Sequence, residues 1–158
     1  MTEQDQIAVS FRPMGDGFVA SMSIEGVLSG RDDPETALKA AASIYGTYIS
    51  RMRFVMREIG EFRTSRTLLP ARKVWQIGDS IFGLVRSLGE AALEIEDLYA
   101  HLVRDVGAKR KWLEKAIILR RYVPREDMIP ADLNWGRIEK GTRRAAEKIF
   151  SDALSLGN

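Results

Sequence analysis

Two periods of hydrophobicity divide the chain. From residue 7 to residue 24 apolar positions alternate with polar or small ones: Ile7, Val9 and Phe11, then Phe18, Ala20, Met22 and Ile24. Beyond residue 34 they recur every three or four positions. The first period is that of a half-buried strand, the second that of an amphipathic helix. Between the alternating runs lies Pro13-Met14-Gly15-Asp16-Gly17, rich in residues that tolerate positive φ, so strands over 7–13 and 18–25 are expected to form an antiparallel β-hairpin. No helix follows the Gly-Asp-Gly directly, which argues for a turn over a phosphate-binding loop. A lone two-stranded hairpin is marginal in water, so its apolar face must pack on something.

The helical part opens on Asp33, a good N-cap, with Pro34 at the first helical position and Glu35 complementing the positive end of the helix dipole. Leu38, Ala41, Tyr45, Tyr48, Met52, Val55, Ile59 and Phe62 then form one seam, along a helix of about 45 Å. After Pro70 a second seam runs through Val74, Ile77, Ile81, Leu84, Leu88, Ala91, Ile95, Leu98 and Leu102. Helices over 34–62 and 71–105 joined by a short link are expected to lie antiparallel at a shallow crossing angle. Gly60, Gly78, Gly83 and Gly89 permit close approach or local bends there. A third helix is expected from Lys109 to about Val123 and a fourth from Pro130 to about Leu154, with Leu133, Ile138, Ala145, Ile149 and Ala153 inside. The expected fold is mainly α within an α+β class: a hairpin appendage (1–30), then a four-helix domain (31–158) with two long antiparallel helices. Seams of that length exceed what one intramolecular contact needs, so a homo-oligomer, a homodimer first, or a protein partner is expected.

Composition removes several functions. With 45% hydrophobic and 29% charged residues the chain is that of a globular domain. It has no cysteine, which excludes disulfides, thiolate metal sites and cysteine nucleophiles and suits a reducing cytoplasm. The start, MTEQDQ, is acidic and polar, unlike a signal peptide, and no apolar run approaches the ~20 residues that span a bilayer. No membrane association is expected. There is no Gly-x-Ser-x-Gly, and the paired carboxylates Glu58 and Glu61 are flanked by arginines in the manner of a salt-bridged helix surface. No enzyme, catalytic residue or cofactor is expected.

The one histidine, His101, falls with Glu94, Asp97 and Asp105 on one helical face. A bundle metal site would need a second Glu-x-x-His, which does not exist, so an ordinary polar face is expected and no metal. Charge is more informative. Residues 1–100 carry 11 Lys/Arg against 14 Asp/Glu, and residues 101–158 carry 13 against 8. Within a basic third at about 104–148, Lys109, Arg110 and Lys111 crowd a helix N-terminus against its dipole, Arg120 and Arg121 follow, and Arg137, Lys140, Arg144 and Lys148 fall on one helical stripe. Two readings stand: a solvated basic face, and a phosphate-binding surface made of Lys109, Arg110, Lys111, Arg120, Arg121, Arg137, Lys140 and Arg144.

Two resemblances bear on this choice. Gly17-Phe18-Val19-Ala20-Ser21, Ile24-Glu25-Gly26, Gly30 and Pro34-Glu35-Thr36-Ala37-Leu38-Lys39-Ala40-Ala41 resemble the start of HicB-type antitoxins, over about residues 7–48. That resemblance implies a degenerate, non-catalytic relative of the RNase H fold that docks a toxin and often carries a DNA-binding segment behind it. Val74-Trp75-Gln76-Ile77-Gly78-Asp79-Ser80-Ile81, Leu98-Tyr99-Ala100-His101-Leu102, Trp112-Leu113 and Arg120-Arg121-Tyr122 are similar to helical modules found beside PD-(D/E)XK nucleases, which implies DNA contact. Trp75, Trp112 and Trp135 read equally as core aromatics. The expected function is that of a non-catalytic nucleic-acid-binding or antitoxin-like regulator with DNA or RNA as ligand. The other reading is a helical assembly subunit without nucleic-acid contact.

Overall fold

The computed structural model describes residues 7–14, 17–24, 34–91, 93–95 and 97–156. It is mainly helical, with α1 at Pro34–Thr64, α2 at Ala71–Glu90, α3 at Leu98–Val106, α4 at Arg110–Tyr122 and α5 at Thr142–Leu156. Strand segments are β1 (Ile7–Met14), β2 (Gly17–Ile24) and the short β3 (Leu93–Ile95). The Gly15-Asp16 turn, the 25–33 link and the expected cap Asp33 lie outside the described residues. Contacts divide the chain into two compact units, each drawn from two stretches: residues 1–50 with 83–108, and residues 51–82 with 109–158.

In the first unit Ala41, Tyr45 and Ile49 of α1, Leu84 and Leu88 of α2, and Leu102 and Val106 of α3 are buried. A Cβ on Gly83 would lie 2.5 Å from the Tyr48 ring, and the Tyr48 hydroxyl stands 3.1 Å from Ser87 Oγ. In β3 Leu93 and Ile95 are buried and Glu94 is exposed. Asp97 adopts φ 51° at the start of α3, a conformation aspartate tolerates, and Gly107 adopts φ 78° at its end, where its N–H donates to Val103 O at 3.1 Å.

The second unit buries Met52, Val55 and Ile59 of α1, Val74 and Ile77 of α2, Leu113, Ala116 and Leu119 of α4, and Ile149 of α5, which packs on α4. Its 123–141 connector is tied to the start of α2. Trp75 Nε1 donates to Val123 O at 2.7 Å, Arg72 Nε to Ile129 O at 2.7 Å, Trp135 N–H to Leu69 O at 2.7 Å and Ala71 N–H to Leu133 O at 2.9 Å. Lys73 Nζ meets Glu58 at 3.0 Å.

Two expectations are corrected. The second long helix does not run from 71 to 105: α2 ends at Glu90, and β3 and α3 follow. Leu88, Ala91, Ile95 and Leu98 keep helical spacing through the break, so the seam alone does not reveal it. Nor is there one helix from Pro130 to Leu154. Short 3₁₀ turns at Glu126–Met128, Trp135–Arg137 and Glu139–Gly141 precede α5. Gly136 and Gly141 weaken helix there, and Asn134 Oδ1 accepts from Arg137 N–H at 3.2 Å, which caps a turn in place of a longer helix. The described residues therefore hold five α-helices where four were expected. Twelve of the seam residues, Ala41, Tyr45, Met52, Val55, Ile59, Val74, Ile77, Ile81, Leu84, Leu88, Ile95 and Leu102, are covered within the chain itself. The seams alone thus give no motive for a second copy.

Two glycines of the second unit make a paired prediction. A Cβ on Gly78 would lie 2.2 Å from Ala116 O, so α2 and α4 meet there at backbone distance. Gly78→Ala should destabilise by about 1–3 kcal/mol despite its better helix propensity. Nothing lies within 4 Å of a Cβ on Gly60 in α1, so Gly60→Ala should stabilise by about 0.5–1 kcal/mol. Denaturant midpoints that move in the same direction for both variants would contradict this packing.

Candidate nucleic-acid interface

The division into units sorts charge more sharply than a cut along the sequence. The second unit holds 19 Lys/Arg against 10 Asp/Glu, net +9, and the first holds 5 against 12, net −7. Part of the basic excess comes from a stretch outside the basic third: residues 51–82 alone carry 7 Lys/Arg against 3 Asp/Glu.

All eight expected phosphate ligands belong to the second unit, though not on the expected stripe. Arg137 ends one 3₁₀ turn, Lys140 sits in the next, and Arg144 and Lys148 are on α5. Lys109, Lys111, Arg121, Arg137, Lys140 and Arg144 are exposed, and the ion pairs among the described residues leave them without a carboxylate partner. Lys109 is the N-cap residue of α4 with no side-chain capping bond, and the first turn of α4 holds no acid. Arg110 reaches Glu114 one turn on at 3.2 Å, an exposed pair of small worth.

Arg120 does different work. Its Nε meets Asp79 Oδ1 at 2.8 Å, and its guanidinium lies 4.9 Å from the Phe82 ring centroid and 5.6 Å from that of Trp75. A cation held by a carboxylate and two aromatic faces joins α4 to α2 and is not presented to a ligand. Arg143 is likewise engaged, with Glu147 at 3.2 Å and the Tyr122 ring at 5.5 Å. The tryptophans serve the core: Trp75 and Trp135 are buried, and Trp112 meets Trp135 edge to face at 6.5 Å.

The polar face expected around His101 is not one face. Glu94 is exposed on β3 and Asp97 is exposed ahead of α3, whereas His101 and Asp105 are buried. Asp105, with its side chain 1% exposed, accepts from the Tyr45 hydroxyl at 2.5 Å and from Arg104 Nε at 3.1 Å. Arg104 Nη2 stands 2.8 Å from His101 Nδ1. Arginine only donates, so His101 accepts at Nδ1 and carries its ring proton on Nε2. This network was missed in the sequence. Its one signal was Tyr45 within an apolar seam, since a buried hydroxyl needs a partner.

Among the described residues no group of three His, Asp or Glu side chains could hold a metal ion, and no helix is long and apolar enough to cross a membrane. A cleft of about 640 Å³ beside α5 is lined mainly by apolar side chains, and its four charges, Arg125, Lys148, Asp127 and Asp152, balance. No family model matches the chain, and neither a curated protein nor a solved structure does so.

Proposed function

We propose that this protein is a non-catalytic nucleic-acid-binding regulator of the antitoxin kind, which holds phosphates on the cationic surface of its second unit. One observation carries the reading: a chain of net charge +2 gathers +9 on one compact unit, and six of the eight expected phosphate ligands on that unit are exposed and unpaired by carboxylates. Side chains of that kind contact phosphate oxygens and supply affinity that is largely independent of sequence. Lys109 and Lys111 oppose the dipole of α4, an arrangement that a bound anion would relieve.

The antitoxin part of the reading rests on the resemblance of residues 7–48 to HicB-type antitoxins, and it gives the N-terminal hairpin the task of meeting a toxin-like protein partner in the cytoplasm. The similarity of residues 74–122 to nuclease-associated modules supports nucleic acid as the ligand of the second unit. The test is a fluorescence-anisotropy titration with labelled DNA and RNA at about 50 mM and 200 mM salt. Binding at the lower concentration that weakens steeply at the higher one is expected. Absence of binding at the lower concentration would reject nucleic acid as the ligand and leave a helical assembly subunit as the better description.

A further inference from the structure

The cleft beside α5 lies wholly within the second unit, and phosphate binding does not explain it. One wall is a single stripe of α5: Ala145, Lys148, Ile149, Asp152, Ala153 and Leu156. Steps of three and one place these residues on one helical face. The other wall comes from the connector before α5 and holds the Arg125–Asp127 pair at 3.3 Å. At the end of the helix Leu154 is 52% exposed and Leu156 89%. Exposed leucines grouped at an apolar cleft mark a contact surface.

Charge decides what covers that surface. Lys148 and Asp152 are both exposed and one turn apart, yet among the described residues neither has an ion-pair partner. Basic before acidic is the weaker order for a pair within one helix. A two-fold contact between copies uses both charges. Turned end to end, the stripe maps onto itself: Ala145, which is small, faces the protruding Leu156 of the second copy, and Lys148 comes beside Asp152 of that copy. The axis repeats every contact, so one ion pair becomes two. Two units of charge +9 repel one another unless the surfaces that touch are balanced. The lining of this cleft is balanced, with Arg125 and Lys148 against Asp127 and Asp152. A small apolar ligand would leave Leu154 and both free charges unanswered. We infer that the α5 cleft is a contact between two copies of this chain, with Lys148 of each against Asp152 of the other. The inference stands apart from nucleic-acid binding.

Sedimentation equilibrium of the full chain, free of nucleic acid, tests this at about 100 μM protein and about 0.15 M salt, which screens the net repulsion. The native protein should sediment at twice the mass of one chain. Lys148→Asp and Asp152→Lys should each weaken self-association about ten-fold or more, because each sets like charges across the axis. Both positions are exposed, so circular dichroism should show native folding in each variant. Mixed in equal amounts the two variants should associate again, since a helix with two anions then faces a helix with two cations. A native chain that stays monomeric overturns the proposal. So does a dimer that either variant leaves intact, or a mixture no more associated than its components. A native monomer that binds anilinonaphthalene sulfonate, with that binding lost in Leu156→Asp, assigns the cleft to a small apolar ligand and overturns the proposal as well.

Discussion

Replacing Asp105 with alanine should destabilise the first unit by about 2–4 kcal/mol. The carboxylate is almost wholly buried and receives the Tyr45 hydroxyl and Arg104. Its loss leaves the Tyr45 hydroxyl, on a fully buried side chain, without that acceptor, a desolvation cost of about 1–3 kcal/mol. The rest is the lost ion pair with Arg104, discounted because the Arg104 side chain is 36% exposed and can turn to water. Tyr45→Phe removes only the hydroxyl and should cost about 1–3 kcal/mol. The two losses share one hydrogen bond, so the double variant should fall short of their sum by about 0.5–3 kcal/mol. Strict additivity, or a stable Asp105→Ala variant, would show that the network does not hold α1 to α3. Circular dichroism is the suitable probe, because all three tryptophans belong to the second unit and report on that unit.

The same network marks where the sequence stops being readable. The residues that repeat every three or four along α1 and the first part of α2 are the buried ones, because a helix that must cover one face leaves that spacing behind. The spacing then passes unbroken from Leu88 through Ile95 to Leu98, although the backbone changes from helix to strand to helix within it. Three strand residues are too few to set a period of two against that background. His101 and Asp105, one turn apart, read as a wet polar face because nothing local says that Tyr45, far off in sequence, supplies a buried hydroxyl to meet them. The charge partition was hidden for a related reason. A cut at residue 100 counts the arginines of α1 with the acids of the first unit. Only contacts assign residues 51–82 to the company of 109–158.

Reversing Lys140 and Arg144 together to glutamate should weaken nucleic-acid binding about 10–100-fold at low salt and leave the fold as it is. Both side chains are exposed and free of carboxylate partners among the described residues, so their loss breaks no internal ion pair. Arg144 lies in the first turn of α5, which contains no acid, and a glutamate there complements the helix dipole. Thermal stability should hold or rise slightly while binding falls, which separates a lost contact from a lost fold. Salt supplies the second readout. If about four of the six exposed cations touch phosphates, log affinity against log salt should fall with a slope of about −3.6 on duplex and about −2.8 on a single strand. If both reversed residues belong to that set, the variant should show roughly half that slope, since each phosphate contact removed takes about 0.9 or 0.7 from it. A variant that binds as tightly as the native chain, with the slope unchanged, would remove Lys140 and Arg144 from the interface and shift it to the cations of α1 and the start of α4.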